Sequence, residues 1–111
     1  MHINRLSVID RFLRKNASAR NPMAAWIQKT EAALWEKFAD VKDTFNSADY
    51  KKPYTIFDVG GNNYRILSQI DYPIQTVTII KVATHKEYLS TRGRLQMNGI
   101  TPRSPPLSVP A

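Results

Sequence analysis

The sequence predicts an α+β domain. N-terminal helices pack on one face of a three-stranded or slightly larger antiparallel sheet, and a short C-terminal helix follows the sheet. Three observations carry this. Apolar residues recur at helical spacing up to residue 38, β-branched and aromatic segments separated by turn residues occupy 54–83, and a helix-capping signal follows directly. At 111 residues the chain has room for one domain with a core of its own.

The first helix is expected over residues 5–15, where Leu6, Ile9, Phe12 and Leu13 fall at three- and four-residue steps with basic residues between them. Residues 16–21 break that pattern. Asn21-Pro22 reads as a new start, because Asn caps free N–H groups and Pro fits the first helical turn. From there Met23, Trp26, Ile27, Thr30, Ala33, Leu34 and Phe38 form one stripe, with Trp35 at its margin, and predict a helix of about four turns. Residues 39–53 read as a connection of turns pinned by Val41 and Phe45.

The period then changes. Residues 54–59 are β-branched and aromatic, and Gly60-Gly61-Asn62-Asn63 supplies the positive-φ residues of a tight hairpin. In the second strand Tyr64, Ile66, Ser68 and Ile70 alternate with Arg65, Leu67 and Gln69. Asp71-Tyr72-Pro73 turns the chain into a third strand at 76–83. Thr84 and Glu87, three residues apart, fit a capping box and predict a short helix carrying His85 and Tyr88. Residues 96–111 hold four prolines and no acidic residue, so the domain is expected over 1–95 and a disordered tail over 96–111.

Composition narrows the function. The chain has no Cys, which excludes a disulfide framework, a thiolate metal site and a cysteine nucleophile. No apolar run approaches a membrane span, and charges interrupt the N-terminus where a secretory signal would be apolar, so a soluble, cytoplasmic protein is expected. The net charge of +7 on a small domain points to a partner rich in phosphate or carboxylate. It is unevenly spread: residues 1–20 carry a net +4, residues 21–49 a net −2 and residues 50–111 a net +5. The plain reading of such charge is a solvated surface.

Chemistry is sparse. The histidines, His2 and His85, are far apart and form no ligand pair at helical spacing, so no metal is expected. No Ser lies in a Gly-flanked elbow. Gly60-Gly61 lacks the lysine of a phosphate loop and joins two strands, so it reads as a turn. The cluster with chemical potential is Arg65, Lys81, His85 and Tyr88. If the second and third strands pair antiparallel, Arg65 lies toward the end of the third, where Lys81 sits and His85 and Tyr88 follow. Metal-free RNA cleavage needs a base for the 2′-hydroxyl, an acid for the leaving 5′-oxygen and cations for the phosphorane. Taken singly, each residue also has an ordinary structural role, such as a solvent-facing strand cation or a Tyr packed on a sheet.

Phe57-Asp58-Val59-Gly60-Gly61-Asn62-Asn63-Tyr64-Arg65 and Ala83-Thr84-His85-Lys86-Glu87-Tyr88 resemble the two hallmark segments of HigB-type toxins, the mRNA interferases of type II toxin–antitoxin systems related in fold to RelE. Trp26, Trp35 and the stretch Ala39-Asp40-Val41-Lys42 through Ser47-Ala48-Asp49 add to the resemblance, which covers roughly residues 1–92. Asp58 stands where the family more often has Asn, and Ala83 where it usually has Gly. The resemblance implies a RelE-like fold, cleavage of mRNA on the translating ribosome without a cofactor, and neutralisation by a HigA-type helix-turn-helix antitoxin. It makes Arg65, His85, Tyr88 and Lys81 the candidate catalytic residues, with His85 as general base or acid, Tyr88 orienting the nucleotide or sharing proton transfer, and Arg65 and Lys81 stabilising charge. Lys51, Lys52, Lys86 and Arg92 become candidate RNA contacts. The first helix, with Arg11 and Arg14 beside its apolar stripe, is expected to offer part of the antitoxin-docking surface. The alternative from a different class is a catalytically silent basic module that binds RNA or regulates its own operon.

Overall fold

The computed structural model describes residues 1–61 and 63–87. In chain order the elements are β1 (His2–Asn4), α1 (Leu6–Lys15), a single 3-10 turn (Ala17–Ala19), α2 (Arg20–Ala32), α3 (Phe38–Thr44), β2 (Asp49–Lys51), β3 (Tyr54–Val59), β4 (Tyr64–Asp71) and β5 (Thr76–Thr84). A last helical turn occupies residues 85–87. The strands form one sheet in the order β1-β5-β4-β3-β2. The expected meander is its centre, with β3, β4 and β5 antiparallel neighbours. Two three-residue strands widen it: β2 pairs antiparallel with β3, and β1 pairs parallel with β5. The architecture is the expected α+β, and the sheet is mixed at its β1 edge.

One face of the sheet carries the core. α1 packs against β5, and α2 against β1 and β3. Phe57, Ile66, Val77 and Ile79 are fully buried there with Ile9 and Met23 from the helices. Four aromatic rings make its centre: Phe57 meets Trp26 edge-on with centroids 5.2 Å apart, Phe45 edge-on at 5.4 Å and Trp35 stacked at 6.1 Å.

The second helix differs from its sequence pattern at both ends. It starts at Arg20 after Ala19 with no side-chain cap, so Asn21 is not the cap, while Pro22 sits in the first turn as expected. It stops at Ala32, where Ala33 turns extended, and a separate helix, α3, begins at Phe38. Tertiary contacts explain the break. Trp35 is 1% exposed, stacks on Phe57 and donates its indole N–H to Thr44 Oγ1 at 3.0 Å, a placement unlike the helix margin. The freed carbonyls find partners: the Met1 α-ammonium donates to Ala33 O at 2.7 Å and to Glu31 O at 3.3 Å, a positive group at a helix C-terminus. The Gln75 side chain donates to Trp35 O. Leu34, assigned by spacing to the buried stripe, is 83% exposed. Residues 39–53, expected as turns, hold α3 and β2, and within them Val41 is buried and Phe45 packs on the core as anticipated.

The β3–β4 connection is the expected glycine turn, with Gly60 at φ 65° and Gly61 at φ 67°. The two glycines differ in their surroundings. A Cβ on Gly60 would lie 3.1 Å from the Tyr64 ring and 3.3 Å from Pro22, whereas one on Gly61 would meet nothing within 4 Å. Both alanine substitutions carry the left-handed penalty of about 1–2 kcal/mol. Gly60→Ala also crowds the contact between this turn and the start of α2. Its midpoint in urea unfolding is therefore expected below that of Gly61→Ala, and equal midpoints would show that the turn does not bear on Pro22.

Candidate active site

Strand register builds the site. Asp58 on β3 lies opposite Arg65 on β4, which lies opposite Ala83 on β5, so these three form one row across the sheet. The next row on the same face is Ile56, Leu67 and Lys81. Alternation therefore places Arg65 and Lys81 on the face away from the helical core, about 7 Å apart along the strands. Backbone pairing continues one step past β5, where the His85 N–H donates to Asn63 O at 2.9 Å. That rung brings His85 to the Arg65 face.

The helical turn is held by the expected capping box. Thr84 N–H donates to Glu87 Oε1 at 2.9 Å, and Glu87 N–H donates to Thr84 Oγ1 at 3.2 Å. This fixes where His85 leaves the strand.

Arg65 is the unusual residue of the face, a cation only 7% exposed in a strand. Its guanidinium is held along several edges. Nε lies 3.0 Å from Asp58 Oδ1, Nη1 donates to Tyr64 O at 3.1 Å, and Nη2 lies 2.9 Å from His85 Nδ1. The carboxylate and the planar fork are side by side because their residues are register partners. Asp58, noted in the sequence only as a departure from the family pattern, is the residue of this cluster left out of the candidate set. Its signal was countable, since four residues separate Val59 from Tyr64 and the next pair outward is Asp58 and Arg65.

The other candidates divide. Lys81 is exposed on the same face, and Lys86 is exposed beside His85. Lys51 and Lys52 are exposed at the far edge, on and just after β2, where Lys51 lies 3.8 Å from Asp49 in a solvent-exposed pair. The register thus brings Arg65 and His85 into contact and leaves Lys51 and Lys52 two strands away. Tyr88, Arg92 and the expected tail from 96 lie outside the described residues. Among the described residues no group of three or more His, Asp or Glu is placed to hold a metal ion.

The opposite end of β4 and β5 has a different character. Tyr72 is half-buried there, and its phenol is pushed above the usual tyrosine range, first by burial and then by Tyr50; a hydrogen bond with Thr55 opposes the rise and Asp40 adds to it. Part of the apolar stripe of α1 is used by the core, with Ile9 buried and Phe12 and Leu13 packed against it, while Leu6 is exposed. Arg11 and Arg14 are exposed beside it.

A small α+β domain with helices on one sheet face and the Asp58–Arg65–His85 contacts on the other is consistent with one class of protein, the RelE-like toxic components of toxin–antitoxin systems. Residues 19–90, well over half the chain, match the family model HigB_toxin, which carries that description. The chain belongs to the HigB toxin family. No curated protein matches it. Among the described residues no helix is long and apolar enough to cross a membrane.

Proposed function

We propose that this toxin is an endoribonuclease that cleaves mRNA on the translating ribosome without a metal, and that a HigA-type helix-turn-helix antitoxin neutralises it. The observation that carries the reading is the contact between a buried, clamped guanidinium and an imidazole nitrogen at 2.9 Å, on the sheet face opposite the helices. Attack by the RNA 2′-hydroxyl on the adjacent phosphorus places an extra negative charge on the phosphorane, and fixed cations aimed at that charge lower the barrier. Arg65 supplies such a charge with no reorganisation, and Lys81 adds a second on the same face. His85 has both hydrogen-bonding and proton-transfer chemistry within reach of the phosphate. Tyr88, three residues on, remains the candidate for orienting the nucleotide. Lys51, Lys52, Lys86 and Arg92 are proposed to follow the RNA backbone, on a chain whose +7 charge suits a polyanion. The cytoplasm, where ribosomes translate, is the compartment this reading requires.

Induced expression in cells tests it. The expected result is arrested growth with new mRNA ends bearing a 2′,3′-cyclic phosphate, the product of 2′-hydroxyl attack, and relief by a co-expressed antitoxin. Binding of RNA with no new ends and no arrest would establish the silent module instead.

A further inference from the structure

The geometry points to Asp58 as a positioning residue. Acting through Arg65, it fixes His85 as the neutral tautomer with its proton on Nε2, so that His85 meets the RNA as a hydrogen-bond donor and not as the base. The functional half of this rests on the proposed nuclease reading; the tautomer does not.

The argument is one of donors and acceptors. A guanidinium carries only N–H donors and keeps its proton throughout the accessible pH range. The Nη2 of Arg65 at 2.9 Å therefore donates, and His85 Nδ1 must accept through a lone pair. An imidazole whose Nδ1 is a lone pair carries its single proton on Nε2. The fork cannot rotate to relax this constraint while its Nε is paired with Asp58 at 3.0 Å and its Nη1 donates to Tyr64 O at 3.1 Å. The backbone side of the contact is fixed too, by the bond from His85 N to Asn63 O and by the Thr84–Glu87 box. Both partners are thus held, and the tautomer follows from their geometry.

The consequence for the chemistry is specific. With Nδ1 occupied by a cation and Nε2 already protonated, the ring has no free lone pair for the 2′-hydroxyl proton. It can still direct Nε2–H to a non-bridging phosphate oxygen, where negative charge grows in the transition state. Removal of the 2′-hydroxyl proton then falls to another group of the site or to water.

Long-range proton–nitrogen NMR of the purified chain at neutral pH reads the tautomer directly. The expected spectrum shows one form of His85, with Nδ1 pyridine-like and Nε2 pyrrole-like. In Asp58→Ala the fork is released, and the two nitrogen shifts are expected to move toward each other as the tautomers exchange rapidly. Asp58→Asn keeps an oxygen acceptor for Nε and should restore the single form, whereas Asp58→Leu, which fills the same space without an acceptor, should not. A wild-type proton on Nδ1, or an unchanged single form in folded Asp58→Ala, overturns the clamp. For the donor role, His85→Gln retains an N–H donor without a basic nitrogen. It is expected to cleave within about tenfold of wild type, against a loss of about 100-fold in His85→Ala. Equal losses in the two variants would assign His85 to proton abstraction instead. A wild-type chain that cleaves no RNA yet shows the single tautomer would overturn the nuclease reading and leave the clamp standing.

Discussion

Replacing Arg65 with alanine is expected to lower mRNA cleavage by about 100-fold or more, the range seen when one fixed charge-stabilising group is lost from an active site. Two effects combine in that number. The variant removes positive charge from the proposed phosphate position and frees His85 Nδ1, which lies 2.9 Å from Nη2. It also strips Asp58 of its partner. Breaking a buried ion pair from one side costs about 3–5 kcal/mol. Here the Arg65 side chain is 9% exposed and that of Asp58 is 27%, so water solvates part of the orphaned carboxylate and the cost falls at or below the lower end of that range. The rate must therefore be measured on protein shown by circular dichroism to be folded. Arg65→Lys separates the effects: it keeps the charge and loses the planar fork, so its rate is expected between those of wild type and Arg65→Ala. A folded Arg65→Ala that still cleaves mRNA and still arrests growth would remove this row from the catalytic machinery.

What was legible in the sequence was what local chemistry decides. The glycine turn needs positive φ at adjacent positions, and a run such as Gly60-Gly61 supplies it. The strands flanking it then pair by counting outward, which is why Arg65 could be placed near the end of β5 before any coordinates. The Thr84–Glu87 box is a four-residue motif whose two hydrogen bonds are both formed. What was not legible depends on residues distant in the chain. β1 and β2 are three residues each, too short for a period to register, and the sheet recruits them at its edges. The pattern from Met23 to Phe38 is a good helix pattern throughout. Its interruption is set by Trp35 finding Phe57 and Thr44, and by the Met1 ammonium finding the α2 carbonyls. Asp58 stands out in the sequence only as a departure from the family pattern, whereas the register that places Arg65 also gives it this carboxylate neighbour.

Two alanine substitutions turn that helix break into a measurement. Phe57 is 0% exposed, lies mid-strand on the core face and touches three other aromatic rings, so Phe57→Ala is expected to cost about 3–5 kcal/mol. The cavity cannot collapse easily, because Trp26 is part of α2 while Trp35, in a separate segment, is anchored to Thr44. Against a domain stability of about 5–15 kcal/mol, this is a large fraction. Each kcal/mol moves the melting temperature of a domain this size by roughly 4–8 °C, so a fall of about 15 °C or more is expected. Leu34 is the counterpart. As a member of one continuous apolar stripe it would be a core residue, and its truncation would cost about 2–5 kcal/mol. In the structure it is 83% exposed in the segment between α2 and α3, and Leu34→Ala is expected to stay within about 0.5 kcal/mol of wild type. Calorimetric melts of the two variants beside wild type decide the matter. A large loss in Leu34→Ala would mean that α2 runs on through residue 34 in solution, and that Trp35 is not seated against Phe57.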